Sequence, residues 1–148
     1  MLIKYLPAEA FPIIHAHVMK LPDVEELPSD KQHLLLSAIA APEIYAYYTP
    51  SADIFDLAAC YAFHIAKNHA YKDGNKRTAF HTVVLFLDGH GYKLCRSVWY
   101  RLLERTSEDL DMAIATRIEK LVTNELTQLE FAAFLRDVWA DYVLWSVD

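Results

Sequence analysis

The chain reads as an all-α protein folded as a single domain over residues 1–148. Three observations point there. Apolar residues recur at helical spacing along most of the length, no segment shows a convincing period-2 alternation, and helix start and stop signals punctuate the sequence at short intervals. With 54% hydrophobic residues, a chain of this length can build one core. It contains no internal repeat, low-complexity tract or domain linker.

Pro7 opens a short helix to about Met19, and Ser29 caps a second through Ile39. Pro42 then restarts the chain in a fresh turn, because proline suits the first helical position and breaks an interior. Ile54, Leu57, Ala58, Tyr61 and Ile65 form one face of a helix that delivers His69 to its C-terminal end. Asp73-Gly74 turns the chain. The run that follows (Ala79, Phe80, Val83, Val84, Phe86, Leu87) is apolar nearly all round, as in a buried central helix, and stops at Gly89-His90-Gly91. Tyr92-Lys93-Leu94 is the one plausible extended piece. Thr106-Ser107-Glu108-Asp109 and Thr127-Gln128-Leu129-Glu130 both resemble capping boxes. Behind the second, Phe131, Phe134, Leu135, Val138, Trp139 and Tyr142 space out an amphipathic helix.

A net charge of −6 argues against direct nucleic-acid binding, which draws its affinity from an extended basic face. The positive charge is local instead. Lys67, Lys72, Lys76 and Arg77 cluster in a chain that otherwise trends acidic, as a nucleotide pocket requires. Cys60 and Cys95 lack CxxC spacing and fall in apolar contexts, so reduced buried thiols are expected. No apolar stretch is long enough to span a membrane, and the N-terminus has no secretory-signal pattern. A cytoplasmic protein is the expectation.

The segment His69-Ala70-Tyr71-Lys72-Asp73-Gly74-Asn75-Lys76-Arg77-Thr78-Ala79-Phe80 carries the chemistry. All three glycines of the chain lie between Gly74 and Gly91, so glycine is placed here rather than scattered. The Asp73-Gly74 turn feeds a helix N-terminus, whose free N–H groups at Gly74, Asn75 and Lys76 and positive dipole end suit a phosphate. Lys72, Lys76 and Arg77 add cationic charge, Arg as a fork and Lys as a point charge. Asp73 would repel an anion, and makes sense if Mg²⁺ bridges its carboxylate to the phosphates. His69 supplies an imidazole, the side chain suited to taking a proton from an attacking hydroxyl near neutral pH. The bland alternative, a turn followed by solvated cations, leaves two positive charges at a positive dipole end without a counter-ion.

The same segment resembles the signature of the Fic/Doc superfamily, and within it the Doc (death-on-curing) toxins. Fic enzymes, which transfer AMP to protein hydroxyls, carry His-x-Phe-x-(Asp/Glu)-Gly-Asn-Gly-Arg-x-x-Arg. Here Lys76 stands at the second glycine and Phe80 at the last arginine, as in the Doc branch. Doc proteins resemble kinases that hold ATP in a reversed pose and phosphorylate a threonine of elongation factor Tu, halting translation. The resemblance implies His69 as catalytic base, Asp73 as Mg²⁺ ligand, Asn75 as a phosphate- or metal-orienting group, and Lys76 and Arg77 as phosphate anchors of ATP. Tyr71 replaces the usual Phe, and its hydroxyl needs a partner if buried. Fic-fold proteins are commonly restrained by a (Ser/Thr)-x-x-x-Glu-(Gly/Asn) helix, and no Ser or Thr here has Glu four residues on. The resemblance therefore implies a cognate antitoxin that supplies the inhibitory segment in trans. A Fic-like AMP transferase and a nucleotide-binding module without turnover are the alternatives.

Other polar and aromatic residues have plainer readings. His15 and His17 diverge on a helix and do not suggest a metal pair. His64 reads as a core or rim residue, and His81 and His90 as helix-surface groups. Tyr45, Tyr47 and Tyr48 suit packing or partner contact more than base stacking. Trp99, Tyr100, Trp139 and Trp145 mark core or interface.

Overall fold

The structure, a computed structural model, describes residues 2–92 and 110–146, with side chains for all of these except 110, 111 and 139–146. Six helices follow one another among the described residues: α1 (Ala10–Met19), α2 (Ser29–Tyr48), α3 (Ile54–Asn68), α4 (Asn75–Asp88), α5 (Leu110–Val122) and α6 (Gln128–Ser146). No strand occurs among these residues, so the fold is all-α as the sequence predicts.

Helix α3 lies at the centre, packed against α2, α4, α5 and α6. Its sequence explains why. Ala58, Ala59, Ala62 and Ala66 let neighbouring backbones approach closely, while Leu57, Tyr61 and Ile65 fill the remaining space. It begins with a capping box made of two aspartates: the Asp56 N–H donates to Asp53 Oδ1 and the Asp53 N–H to Asp56 Oδ2, both at 2.9 Å. Arg136 of α6 forks onto Asp53 at 2.8 and 3.0 Å and reaches Asp56 at 3.2 Å, which ties the last helix to the start of α3. Helix α4 packs on α1, α3 and α5 and buries Thr78, Ala79, Thr82, Val83, Phe86 and Leu87, while Lys76, Arg77 and Leu85 face outward. The Tyr61 ring sits between Phe11 of α1 at 5.8 Å and Phe86 of α4 at 5.2 Å, and locks the three helices together. Each such buried side chain stabilises the fold by about 1.5–3 kcal/mol.

Several boundaries depart from the sequence expectation. Helix α1 starts at Ala10 rather than Pro7, because Pro7 and Ala8 form a preceding turn in which the Ala10 N–H donates to Pro7 O at 2.9 Å. Ser29 is not a cap: Pro28 occupies that position and no side chain closes it. The expected restart at Pro42 does not occur, since α2 runs unbroken to Tyr48 with Pro42 inside it. Proline removes one i→i−4 bond there. Leu35, Ala38 and Pro42 lie on one buried face of α2, and that burial outweighs the missing bond. The capping box at Thr127 forms as expected, with the Glu130 N–H donating to Thr127 Oγ1 at 3.1 Å and the Thr127 N–H to Glu130 at 3.0 Å. Helix α4 ends where the glycines predict, with Gly91 at φ 88°. The Thr106 capping box, Lys93 and Leu94 of the extended piece, Cys95, Trp99 and Tyr100 lie outside the described residues, as do the side chains of Trp139, Tyr142 and Trp145. No described helix is long and apolar enough to cross a membrane.

Candidate active site

The loop joining α3 to α4 is held from below by buried groups. At its start His69 caps α3 in the left-handed region (φ 54°, ψ 48°), a conformation uncommon outside glycine. The chain then dips inward, burying Ala70 and Tyr71. Asn75, itself buried, closes the loop: its Oδ1 accepts the Tyr71 N–H at 3.0 Å and its Nδ2 donates to the Tyr71 carbonyl at 2.6 Å. That pairing fixes the amide orientation, so Nδ2 also faces His69 Nδ1, at a long 3.4 Å. Asn75 thus joins the loop's interior to the ring of His69.

Helix α1 supplies the rest of the support. His15 is buried, and its Nε2 donates to the Asp73 carbonyl at 2.9 Å, since a carbonyl can only accept. Its ring lies flat on Tyr71, with centroids 3.6 Å apart and planes 8° from parallel. The Tyr71 hydroxyl and His15 Nδ1 are buried without a hydrogen-bond partner. Burial, with some help from the Glu25 charge, pushes the Tyr71 phenol up to about 12. Gly74 turns the chain into α4 at φ 84°. A Cβ there would lie 2.6 Å from Met19 Sδ, so glycine meets both the backbone requirement and the close approach of α1.

All seven residues singled out in the sequence line one pocket of about 400 Å³: His69, Lys72, Asp73, Gly74, Asn75, Lys76 and Arg77, with Ala66 and Val122 closing the wall. His69, Lys72, Asp73, Lys76 and Arg77 are exposed to it, whereas Gly74 and Asn75 are buried beneath. Asp73 Oδ1 accepts the Gly74 N–H at 2.9 Å, which spends one first-turn donor on the loop itself. The Lys76 ammonium pairs with Glu119 of α5 at 3.1 Å, with both side chains half exposed or more. Arg77 meets the Met19 sulfur at 3.8 Å, and among the described residues no carboxylate pairs with it. Lys67, by contrast, is directed away to the side-chain oxygen of Asn124. A second pocket of about 350 Å³ opens on the other side of His69, between Lys72 and the Glu25–Lys31 segment.

The profile of the Fic/DOC family matches residues 5–87, from just ahead of α1 to the last turn of α4. The chain belongs to the Fic/DOC family. That span takes in the whole loop and the α1 residues beneath it. Family members are transferases that act on ATP, and the family points to a protein-modifying enzyme of the Fic/Doc type. Comparison with curated proteins finds no match.

Three contributors to the site carry no local sequence signal. His15 and Met19 lie one helical turn apart on α1, and Glu119 reaches in from α5. His17, on the other face of α1, is exposed and meets the ring of His81 edge-on at 6.0 Å. His64 is half-buried, with its imidazole lowered by burial, and does not line the loop pocket. His90 is more than a surface group: it accepts the Lys4 N–H at 2.9 Å while its Nδ1 donates to Phe86 O at 2.8 Å. Tyr47 and Tyr48 stand exposed at the end of α2, away from the pocket.

Proposed function

We propose that this chain is a Doc-like protein kinase and the toxin of a toxin–antitoxin pair. It transfers the γ-phosphoryl group of ATP to a protein hydroxyl, for which a threonine of elongation factor Tu is the proposed acceptor, in the cytoplasm. The observation that carries the reading is the convergence of His69, Asp73 and Arg77 on one pocket beside a helix N-terminus. Phe80 in place of a second arginine favours phosphate over AMP transfer. An AMP donor would have to place its β- and γ-phosphates along α4, where this chain offers an aromatic ring.

In the reaction, the acceptor oxygen attacks the γ-phosphorus, the bond from that phosphorus to the bridging oxygen breaks, and ADP departs. His69 takes the hydroxyl proton on a ring nitrogen that must be free of hydrogen, and the left-handed turn at the end of α3 positions the ring. Arg77 forks onto phosphate oxygens, with Lys76 and Lys72 beside it. Catalysis is then mainly positioning and charge stabilisation. Mg²⁺ fits the donor set, because a nucleotide-bound magnesium keeps phosphate oxygens and waters as ligands and needs only one or two carboxylates. Among the described residues no cluster of three or more protein ligands exists, and exposed Asp73 is the carboxylate on the loop. The ion would neutralise charge on the transferring phosphates.

We propose further that an antitoxin restrains the enzyme by covering the loop in trans. The test is incubation of the purified chain with elongation factor Tu, Mg²⁺ and ATP labelled at the α or the γ position. Label from γ alone, lost by roughly 10² to 10⁴ in rate in His69→Ala, is expected. Label from α would make the chain an AMP transferase, and nucleotide binding without label from either position would leave a binding module.

A further inference from the structure

Helix α1 carries a buried titratable group that the proposed reaction does not use. Among the described histidines only His15 is buried, on the face of α1 where Phe11, Ile14 and Ala16 also pack inward. A hydrocarbon side chain fits such a position more cheaply, because a buried polar ring costs free energy unless it is hydrogen-bonded. Its Nδ1 has no partner. The bond that offsets the cost runs from Nε2 to the Asp73 carbonyl at 2.9 Å, 58 residues further along the chain. Stacking on Tyr71, with centroids 3.6 Å apart, fixes the plane of the ring that makes this bond. Histidine at this position is therefore explained by what it holds rather than by the space it fills.

We propose that His15 is a positioning residue: from beneath the loop it latches the Asp73–Gly74 peptide plane, and through it the Asp73 carboxylate. Both ends of that peptide are engaged. Its carbonyl accepts from His15, and its N–H, belonging to Gly74, donates to Asp73 Oδ1 at 2.9 Å. Nothing intrinsic to Gly74 holds this orientation, because glycine takes negative φ about as readily as the 84° found here. Rotating the peptide plane by half a turn would carry the carbonyl oxygen towards the Asp73 carboxylate and the N–H towards His15. The two oxygens would then repel, and the carboxylate would leave the turn. A hydrogen on His15 Nε2 opposes that rotation, since it stabilises a facing carbonyl and would meet a facing N–H donor to donor. Asn75 does not supply this restraint, because its amide holds the N–H and carbonyl of Tyr71 instead. The consequence for catalysis rests on the proposed Mg²⁺–ATP chemistry. An Asp73 carboxylate no longer fixed on its turn places the metal less well, which slows transfer more than it weakens nucleotide binding.

The chain has three glycines, so ¹⁵N-glycine labelling gives three backbone signals, and Gly89→Ala and Gly91→Ala identify that of Gly74 by elimination. His15→Phe keeps a ring against Tyr71 without a donor, whereas His15→Gln restores an N–H at similar reach. The Gly74 signal should shift or broaden in His15→Phe while those of Gly89 and Gly91 stay in place, and should return towards its parent position in His15→Gln. Phosphoryl transfer at saturating Mg²⁺–ATP should fall by about tenfold or more in His15→Phe and recover to within about threefold in His15→Gln, with KM for ATP changed by less than about threefold in either. A Gly74 signal unmoved by His15→Phe would overturn the latch, and a displaced Gly74 with undiminished transfer would overturn its role in the reaction. If the parent transfers no phosphate, the kinase reading fails, and the glycine spectra still decide the latch. If His15→Phe does not fold, the parent decides: ¹⁵N-histidine spectra should show a hydrogen on Nε2 of His15, and a bare Nε2 overturns the proposal.

Discussion

Replacing Asn75 with alanine tests whether the loop is held by a clamp or merely decorated by a ligand-binding amide. In the folded protein the Asn75 side chain satisfies both the N–H and the C=O of Tyr71, at 3.0 and 2.6 Å, in a segment where Tyr71 is only 2% exposed. Alanine leaves both backbone groups buried without partners. Each such group costs about 1–3 kcal/mol, so the loss should be about 2–5 kcal/mol after partial relaxation, a large share of the stability of a domain this size. Urea unfolding followed by circular dichroism measures it as a drop in midpoint at constant slope. Asn75→Asp should not rescue the loss, because the carboxylate oxygen that replaces Nδ2 would face the Tyr71 carbonyl and repel it in a buried setting. If Asn75 acts only on nucleotide, as a phosphate- or metal-orienting group would, the alanine variant keeps its midpoint and loses only ATP affinity. A stability change under about 0.5 kcal/mol, within the range of ordinary surface substitutions, would refute the clamp.

Three further outcomes follow from contacts around the same frame. Tyr71→Phe removes a buried hydroxyl that has no partner and should leave thermal stability unchanged or raise it, by up to about 1–3 kcal/mol; a clear loss in a melting experiment would show that the hydroxyl is satisfied. Gly74→Ala places a methyl in a left-handed turn 2.6 Å from Met19 Sδ and should cost about 1–2 kcal/mol from the backbone alone, read by urea unfolding; a neutral result would show that the turn relaxes. Burial works to raise the Asp53 carboxyl, but hydrogen bonds from Arg136 and from the Asp56 backbone outweigh it and hold the group below its ordinary 3.8. A folded-state value below the unfolded one contributes stability above the unfolded value and loses it as pH falls through the folded one. Arg136→Gln should therefore cost on the order of 1 kcal/mol at neutral pH, because the pair is partly exposed and screened. It should also flatten the decline below about pH 4; an acid limb identical to that of the parent would refute the assignment.

Some local signals in the sequence are legible because local chemistry decides them, although the Ser29 cap and the Pro7 start are not among them. The Thr127–Glu130 box closes on itself within four residues, and the glycines after α4 stop it by their own backbone freedom. Pro42 misleads because its cost is local while its compensation is not: α2 continues since Leu35, Ala38 and Pro42 bury against the rest of the fold, which no window of sequence reveals. The candidate site divides in the same way. Residue types and spacing from His69 to Arg77 identify which side chains line the pocket. What shapes the loop beneath them comes from His15 and Met19, more than fifty residues upstream, through one hydrogen bond and one van der Waals approach. Asn75 shows the limit most clearly. Its place in the signature suggests a ligand-facing group, yet its amide is spent on Tyr71, and its reach to His69 is a consequence of that pairing.

The two cations at the start of α4 shift in meaning once their partners are known. Sequence alone places both at a positive dipole end, which argues for an external anion. Lys76 already has one in Glu119, and two side chains this exposed contribute little to stability, so the pair is better understood as an arrangement of charge than as a staple. Arg77 is different. Among the described residues its polar contact is a thioether sulfur, a weak acceptor, which leaves most of its donors open to a ligand.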